Sequence, residues 1–172
     1  MPRVSKRAGQ VHWRSGYEKG IREWLDAYGV PYQYEAKQFL ITVPVPGSYC
    51  DGCMGRNILR DTTYTPDFYL PQTKIVMEAK GKFDARARKI ALAMKGQHPG
   101  VDYRILLQRD NWMTGKKVRR YSDWLTKNNI PFAIGKHPPP EWCVPAGSSV
   151  QSFAVPYAAA RYTPLKKQRR KS

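Results

Sequence analysis

Asp67, Glu78 and Lys80 are two acids and an amine that a short β-hairpin would bring to one place. The runs Tyr64 to Leu70 and Ile75 to Lys80 are apolar and β-prone, and the intervening Pro71, Gln72 and Thr73 read as a tight connection centred on Gln72-Thr73. In that register Asp67 lies opposite Glu78, and directly opposed residues share a sheet face with Cβ atoms about 4.5–5.5 Å apart. Strand alternation adds Lys80 to the face of Glu78 and turns Ile75, Met77 and Ala79 to an apolar one. Opposed carboxylates repel, so the pattern asks for a cation. Mg²⁺, or Mn²⁺ in its place, takes carboxylate oxygens and substrate phosphate, and the backbone carbonyl of Ala79 is a further candidate ligand. Such an ion polarises a phosphodiester and acidifies a water, while Lys80 orients or deprotonates that water and offsets developing charge. That is the chemistry of a metal-dependent nuclease. The competing reading is ordinary strand-edge charge, with Lys80 paired to Glu78 or to solvent.

Charge supports the first reading. Thirty Lys and Arg against 13 Asp and Glu give a net +17 over 172 residues. Residues 1–10 carry Arg3, Lys6 and Arg7, and residues 161–172 carry six basic groups, with no acid in either; removing those nine leaves +8 on the middle of the chain. A basic body, not only basic ends, points to a phosphate-tracking surface and a nucleic-acid partner. The balance argues against a neutral domain with basic ends; a charged solvated surface, a membrane-surface protein and a nonenzymatic packager of nucleic acid remain as alternatives.

The elements that must position these residues can be read from spacing. Ser15 with Glu18 three residues on forms a capping box opening a helix whose Tyr17, Ile21, Trp24, Leu25 and Tyr28 recur at helical intervals, before Gly29 and Pro31 end it. Residues 32–45 predict one or two strands stopping at Pro44 and Pro46, and residues 47–63 a Cys-containing loop. After the hairpin, Asp84 caps a helix through Met94, Tyr103 to Leu107 form a core strand, Ser122 opens a short helix with Trp124 and Leu125, and Ile130 to Ile134 form a last strand. The result is an α/β fold with a mixed sheet flanked by helices: a basic arm at 1–10, one domain at 11–135, and a Pro-rich extension with a basic tail at 136–172. Its 41% hydrophobic residues suffice for a single core. No apolar run approaches the roughly 18 residues that cross a bilayer, and three cysteines, an odd number, fit a reducing compartment, so a soluble, cytoplasmic protein is expected.

Pro66-Asp67 and Glu78-Ala79-Lys80 match the motif of the restriction-endonuclease-like superfamily, which this order of elements resembles. Arg14-Ser15-Gly16-Tyr17-Glu18, Tyr64-Thr65-Pro66-Asp67-Phe68, Glu78-Ala79-Lys80-Gly81 and Gln97-His98-Pro99 are, in addition, similar to successive landmarks of the phage endonuclease I family of Holliday junction resolvases, over about residues 14–107. The resemblance implies a homodimer that nicks four-way and branched DNA in pairs in the host cell's cytoplasm. It carries catalytic roles onto Glu18, Asp67, Glu78 and Lys80. It also implies exchange of an early strand, so that a partner's Glu18 completes each site. Glu18, which spacing alone makes a capping residue, becomes a metal-site carboxylate helping to hold a second ion or its water.

Arg14, Lys82, Arg86, Arg88 and Lys89 flank the metal site in sequence and are the expected phosphate contacts. Cys50 and Cys53, in the segment that departs from the family, could hold structural Zn²⁺ only by recruiting Cys143 and a histidine such as His137, or a second pair across a dimer; the alternative is two free thiols. His98 is read as support for the turn before Pro99 and His12 as a phosphate contact. Trp13, Trp24, Trp112, Trp124 and Trp142 are read as core or interface. Beside the junction-resolving nuclease stand a general nicking relative and a nonenzymatic basic DNA binder. Acids inside a basic groove separate these classes, because they repel phosphate unless a metal is present.

Overall fold

Ser15 starts the first helix as predicted. Its backbone is extended, and its hydroxyl accepts the Glu18 N–H at 3.2 Å. In the computed structural model, which describes residues 15–50, 52, 56–115 and 117–145, this helix α1 (Gly16–Ala27) buries Ile21 and Leu25. Gly29 then reverses the chain at φ 61°, a conformation that favours glycine. The capping box closes on one side only: the Glu18 carboxylate does not return to the Ser15 backbone but accepts hydroxyl protons from Ser15 at 2.8 Å and Tyr34 at 2.6 Å.

Five strands form the central sheet: β1 (Gln33–Tyr34), β4 (Phe68–Leu70), β5 (Ile75–Lys80), β6 (Asp102–Leu107) and β7 (Phe132–Ile134), with spatial order β1-β4-β5-β6-β7. β1, β4 and β5 are antiparallel neighbours, whereas β5, β6 and β7 run parallel. Parallel neighbours need crossovers. Helices α2 (Ala85–Gln97) and α3 (Tyr121–Lys127) supply them. The β4–β5 hairpin has the expected register, pairing Phe68 with Met77 and Leu70 with Ile75 around a turn at Pro71–Lys74.

β5 is central and buried on both faces. Val76 joins Tyr103, Ile105 and Leu107 in a core beneath α2 and α3. Ile75, Met77 and Ala79 join Ile21, Leu25 and Trp142 in a second core beneath α1. Among the described residues no helix is long and apolar enough to cross a membrane.

Two expectations fail. The prolines at 44 and 46 do not end a strand: β2 (Phe39–Cys50) runs through both and pairs with β3 (Arg56–Tyr64) as a separate two-stranded ribbon, with a register shift between Pro44 and Tyr49. A strand paired on one side leaves alternate N–H positions outside any ladder, where proline costs no hydrogen bond. Most of the expected 47–63 loop is therefore the end of a hairpin. The ribbon is tied to α2 by Gln97, whose side chain accepts the Thr42 N–H and donates to the Thr42 carbonyl, both at 2.8 Å, and by His98 Nε2 on the Leu40 carbonyl at 2.9 Å. The second failure is at residues 136–145. They are not tail: α4 (Pro140–Cys143) buries Trp142 and Cys143, and Thr73 Oγ1 donates to the Trp142 carbonyl at 2.8 Å.

Candidate active site

Asp67 precedes β4 by one residue and continues the hairpin ladder to face Glu78 on β5. Its backbone N–H donates to Glu78 Oε2 at 3.3 Å, and its own Oδ2 accepts the Ala79 N–H at 2.8 Å. Asp67 and Glu78 are 6% and 5% exposed, far below what unpaired acids tolerate. The Lys80 ammonium pairs with Glu78 Oε1, its side chain 28% exposed, so the site opens to solvent at the lysine. From the ribbon end, the Tyr64 hydroxyl donates to Glu78 Oε2 at 2.6 Å and lies 3.1 Å from the Tyr103 hydroxyl of β6. Glu18, 7% exposed, is near enough to act electrostatically on Asp67 and Lys80 within the same chain.

Burial first, and then the charge of Glu78, raise the Asp67 carboxyl from its ordinary 3.8 to about 8; Lys80 and the Ala79 N–H pull the other way without prevailing. For Lys80, burial opposes the charge, but Glu78, Asp67 and Glu18 together outweigh it and hold the ammonium above its ordinary value. An acid pair that binds a proton at neutral pH is short of a cation. Because the folded state keeps the Asp67 proton that the unfolded chain releases near 3.8, this contribution to stability is complete below that pH and is lost as pH rises through about 8. His137, lowered by burial and then by Lys136, works in the opposite sense, but only below its ordinary 6.5. In chelator the thermal midpoint should therefore fall by several degrees between pH 6.5 and 8.5, and Asp67→Asn should remove most of that fall. A midpoint indifferent to pH in the unmodified chain would contradict the arrangement.

Asp67 and Glu78 offer hard carboxylate oxygens, the kind of ligand that suits Mg²⁺ or Mn²⁺. No three His, Cys, Asp or Glu side chains among the described residues are grouped to hold an ion unaided. Asp67 and Glu78 are thus the two carboxylates that the site brings face to face, while Glu18 is held by Ser15 and Tyr34.

A family model described as phage endonuclease I matches residues 1–158. The chain belongs to the phage endonuclease I family. It is 31% identical over 131 residues to "Endonuclease I" of Escherichia phage T7, covering 76% of this chain and 77% of that protein. It is also 31% identical over 123 residues to "Endodeoxyribonuclease 1" of Enterobacteria phage T3, covering 70% of each.

In this member of the phage endonuclease I family, Asp67, Glu78 and Lys80 converge as the spacing predicts, and Glu18 reaches their neighbourhood from its own chain. Lys82 and Arg86 are exposed just beyond Lys80, whereas Arg88 and Lys89 are half-buried, and Arg88 Nη1 donates to the Phe83 carbonyl at 2.9 Å. Arg88 thus braces the segment that follows Lys80. Arg14, His12, Trp13, Cys53 and the side chain of Cys50 lie outside the described residues. Cys143 sits in the second core, where burial and then Glu141 push its thiol up to about 12; its nearest polar contact is the Pro139 carbonyl at 3.7 Å, and His137 stacks on Trp24 at 5.4 Å. A neutral, enclosed thiol is a poor zinc ligand. His98 both closes α2 and holds the ribbon.

Sequence reasoning missed Tyr64, Tyr103 and Tyr34, which hold the two glutamates. Tyr64 stood inside a quoted landmark, three residues before Asp67, and alternation along β3 alone gives no sign that its hydroxyl meets Glu78.

Proposed function

We propose that this protein is a divalent-metal-dependent endodeoxyribonuclease that resolves four-way and branched DNA junctions by paired nicks as a homodimer. The observation that carries this reading is the buried Asp67–Glu78 pair beside Lys80 in a chain of net charge +17. A packager of DNA gains nothing from two desolvated acids, each kept at a cost. A phosphodiesterase needs them.

Asp67 and Glu78, with the Ala79 carbonyl as a third donor, would hold the cation. When bound, it polarises a phosphate oxygen and lowers the pKa of a water. Tyr64 and the Ala79 N–H fix the two carboxylates on their donor sides, so little reorganisation is left for the moment of reaction. Lys80, at the solvent side of the pair, supplies positive charge where the phosphate gains negative charge and orients the attacking water. Glu18, hydrogen-bonded through both oxygens, is suited to orient a water or hold a second ion at the edge of the site. One site per subunit of a homodimer would give paired nicks, and Glu18 of the same chain already acts electrostatically on Asp67.

The test compares a synthetic four-way junction with a duplex of the same arm sequence, each with Mg²⁺ and with chelator. Symmetric, metal-dependent nicks confined to the junction are expected. Equal cutting of both would reduce the protein to a general nicking enzyme, and tight binding without cutting under Mg²⁺ or Mn²⁺ would overturn the reading.

A further inference from the structure

Residues 109–120 leave the end of β6 and return at α3, and the chemistry above uses none of them. Their root is fixed on the catalytic segment twice. The Gln108 N–H donates to the Lys80 carbonyl at 2.9 Å, one residue beyond the pairing of Lys80 with Leu107. At the other end, Tyr121 sets its ring edge-on to Phe83, three residues after Lys80, at 5.7 Å. Between these anchors the two limbs pair. The Met113 N–H donates to the Arg119 carbonyl at 2.9 Å, the Tyr121 N–H donates to the Asn111 carbonyl at 3.0 Å, and Trp112 bridges to Arg120, whose guanidinium lies 4.1 Å over the indole. Asp110 is consumed by the bracing, accepting the Ser122 N–H at 3.0 Å and its hydroxyl at 2.7 Å.

What projects from this braced base is basic. Arg109, Lys117 and Arg119 are exposed, and their side chains make no hydrogen bond or ion pair among the described residues. By contrast Arg22 and Arg104 are paired with Asp26 and Asp102. Cations gathered on a short excursion, with the local acid turned inward, repel one another until an external polyanion meets them. The root of the excursion, fixed on Lys80 through Gln108, says which one. We propose that the two limbs at 109–115 and 117–120 form a second nucleic-acid contact, which grips the phosphate backbone of the duplex arm next to the scissile bond through Lys117 and Arg119, with Arg109 at its root.

The inference rests on the reading that the substrate is DNA, and it deepens that reading. The test is the salt dependence of binding, in chelator, of a four-way junction and of a linear duplex with the same arms, for the full chain and for Lys117→Gln/Arg119→Gln. Loss of two phosphate contacts should make the plot of log affinity against log salt shallower by about 1.8, at roughly 0.9 per contact, on both DNAs. Neutralising Lys74, at the far end of β5 from Lys80, should leave the slope as it is. The thermal midpoint of the double variant checks folding, which two exposed positions should not disturb. An unchanged slope in the folded double variant, or an equal change with Lys74→Gln, would overturn the proposal. If the unmodified protein cut junction and duplex alike, the junction-resolving reading would fail while this slope difference survived.

Discussion

Replacing Lys80 with alanine should slow cleavage of a branched DNA by about a thousandfold at saturating Mg²⁺, while changing its affinity for that DNA by less than about threefold. The asymmetry follows from where the ammonium sits. It is paired with Glu78 Oε1 and largely enclosed, so it adds little to a docking surface carried by exposed Lys and Arg. In the proposed mechanism its charge matters when the phosphate gains charge in the transition state. Removing it also leaves Asp67 and Glu78 facing each other without their cation, so the Asp67 carboxyl, already raised to about 8, should hold its proton still more firmly. The variant's residual activity should accordingly rise more steeply with pH than that of the unmodified enzyme. Single-turnover rates in Mg²⁺ and anisotropy titrations in chelator separate the two effects. Loss of binding together with cutting would mean that Lys80 holds the fold or the DNA rather than the reaction.

The second large effect lies far along the chain. Trp142→Ala should destabilise the protein by about 3–5 kcal/mol, measured by urea unfolding, because it empties a fully buried site in the core shared with Ile21, Leu25 and Met77. That is a large part of the roughly 5–15 kcal/mol typical of a domain. The ring also lies 5.3 Å beneath the Arg104 guanidinium, and Thr73 anchors the Trp142 backbone at the β4–β5 turn. The loss should therefore be felt at the hairpin that carries Asp67 and Glu78. A cost below about 1 kcal/mol would restore residues 136–145 to the status of a tail.

The two variants mark where local sequence is enough and where it is not. Asp67 and Glu78 could be set opposite each other because a tight turn and strict alternation fix hairpin register within a dozen residues. α1 was readable for the same reason: Ser15, the apolar stripe and Gly29 are all local signals. Pro138-Pro139-Pro140 carries the local signal of a linker, and only the cavity left by α1 and the sheet turns Trp142 into core. Pro44 and Pro46 misled because the rule against proline in strands assumes a partner on both sides, and β2 has one. In the site, Glu18 looked like a helix cap from spacing and acquired a chemical role only through the family resemblance. The tyrosines that hold the carboxylates gave no signal of their own, since Tyr64 and Tyr103 meet across 39 residues of sequence.

Tyr64 is the last residue of β3, and the ribbon it ends is fastened to α2 through Thr42 and Gln97. One oxygen of Glu78 therefore depends on contacts from three elements: the ribbon, the hairpin and β6. An unfastened ribbon would take the Tyr64 hydroxyl from Glu78 and leave Oε2 with only the longer contact from the Asp67 N–H, inside an acid pair that already favours a proton. A copy of this chain with the ribbon displaced would keep its basic residues but lose the Tyr64 hydroxyl from Glu78.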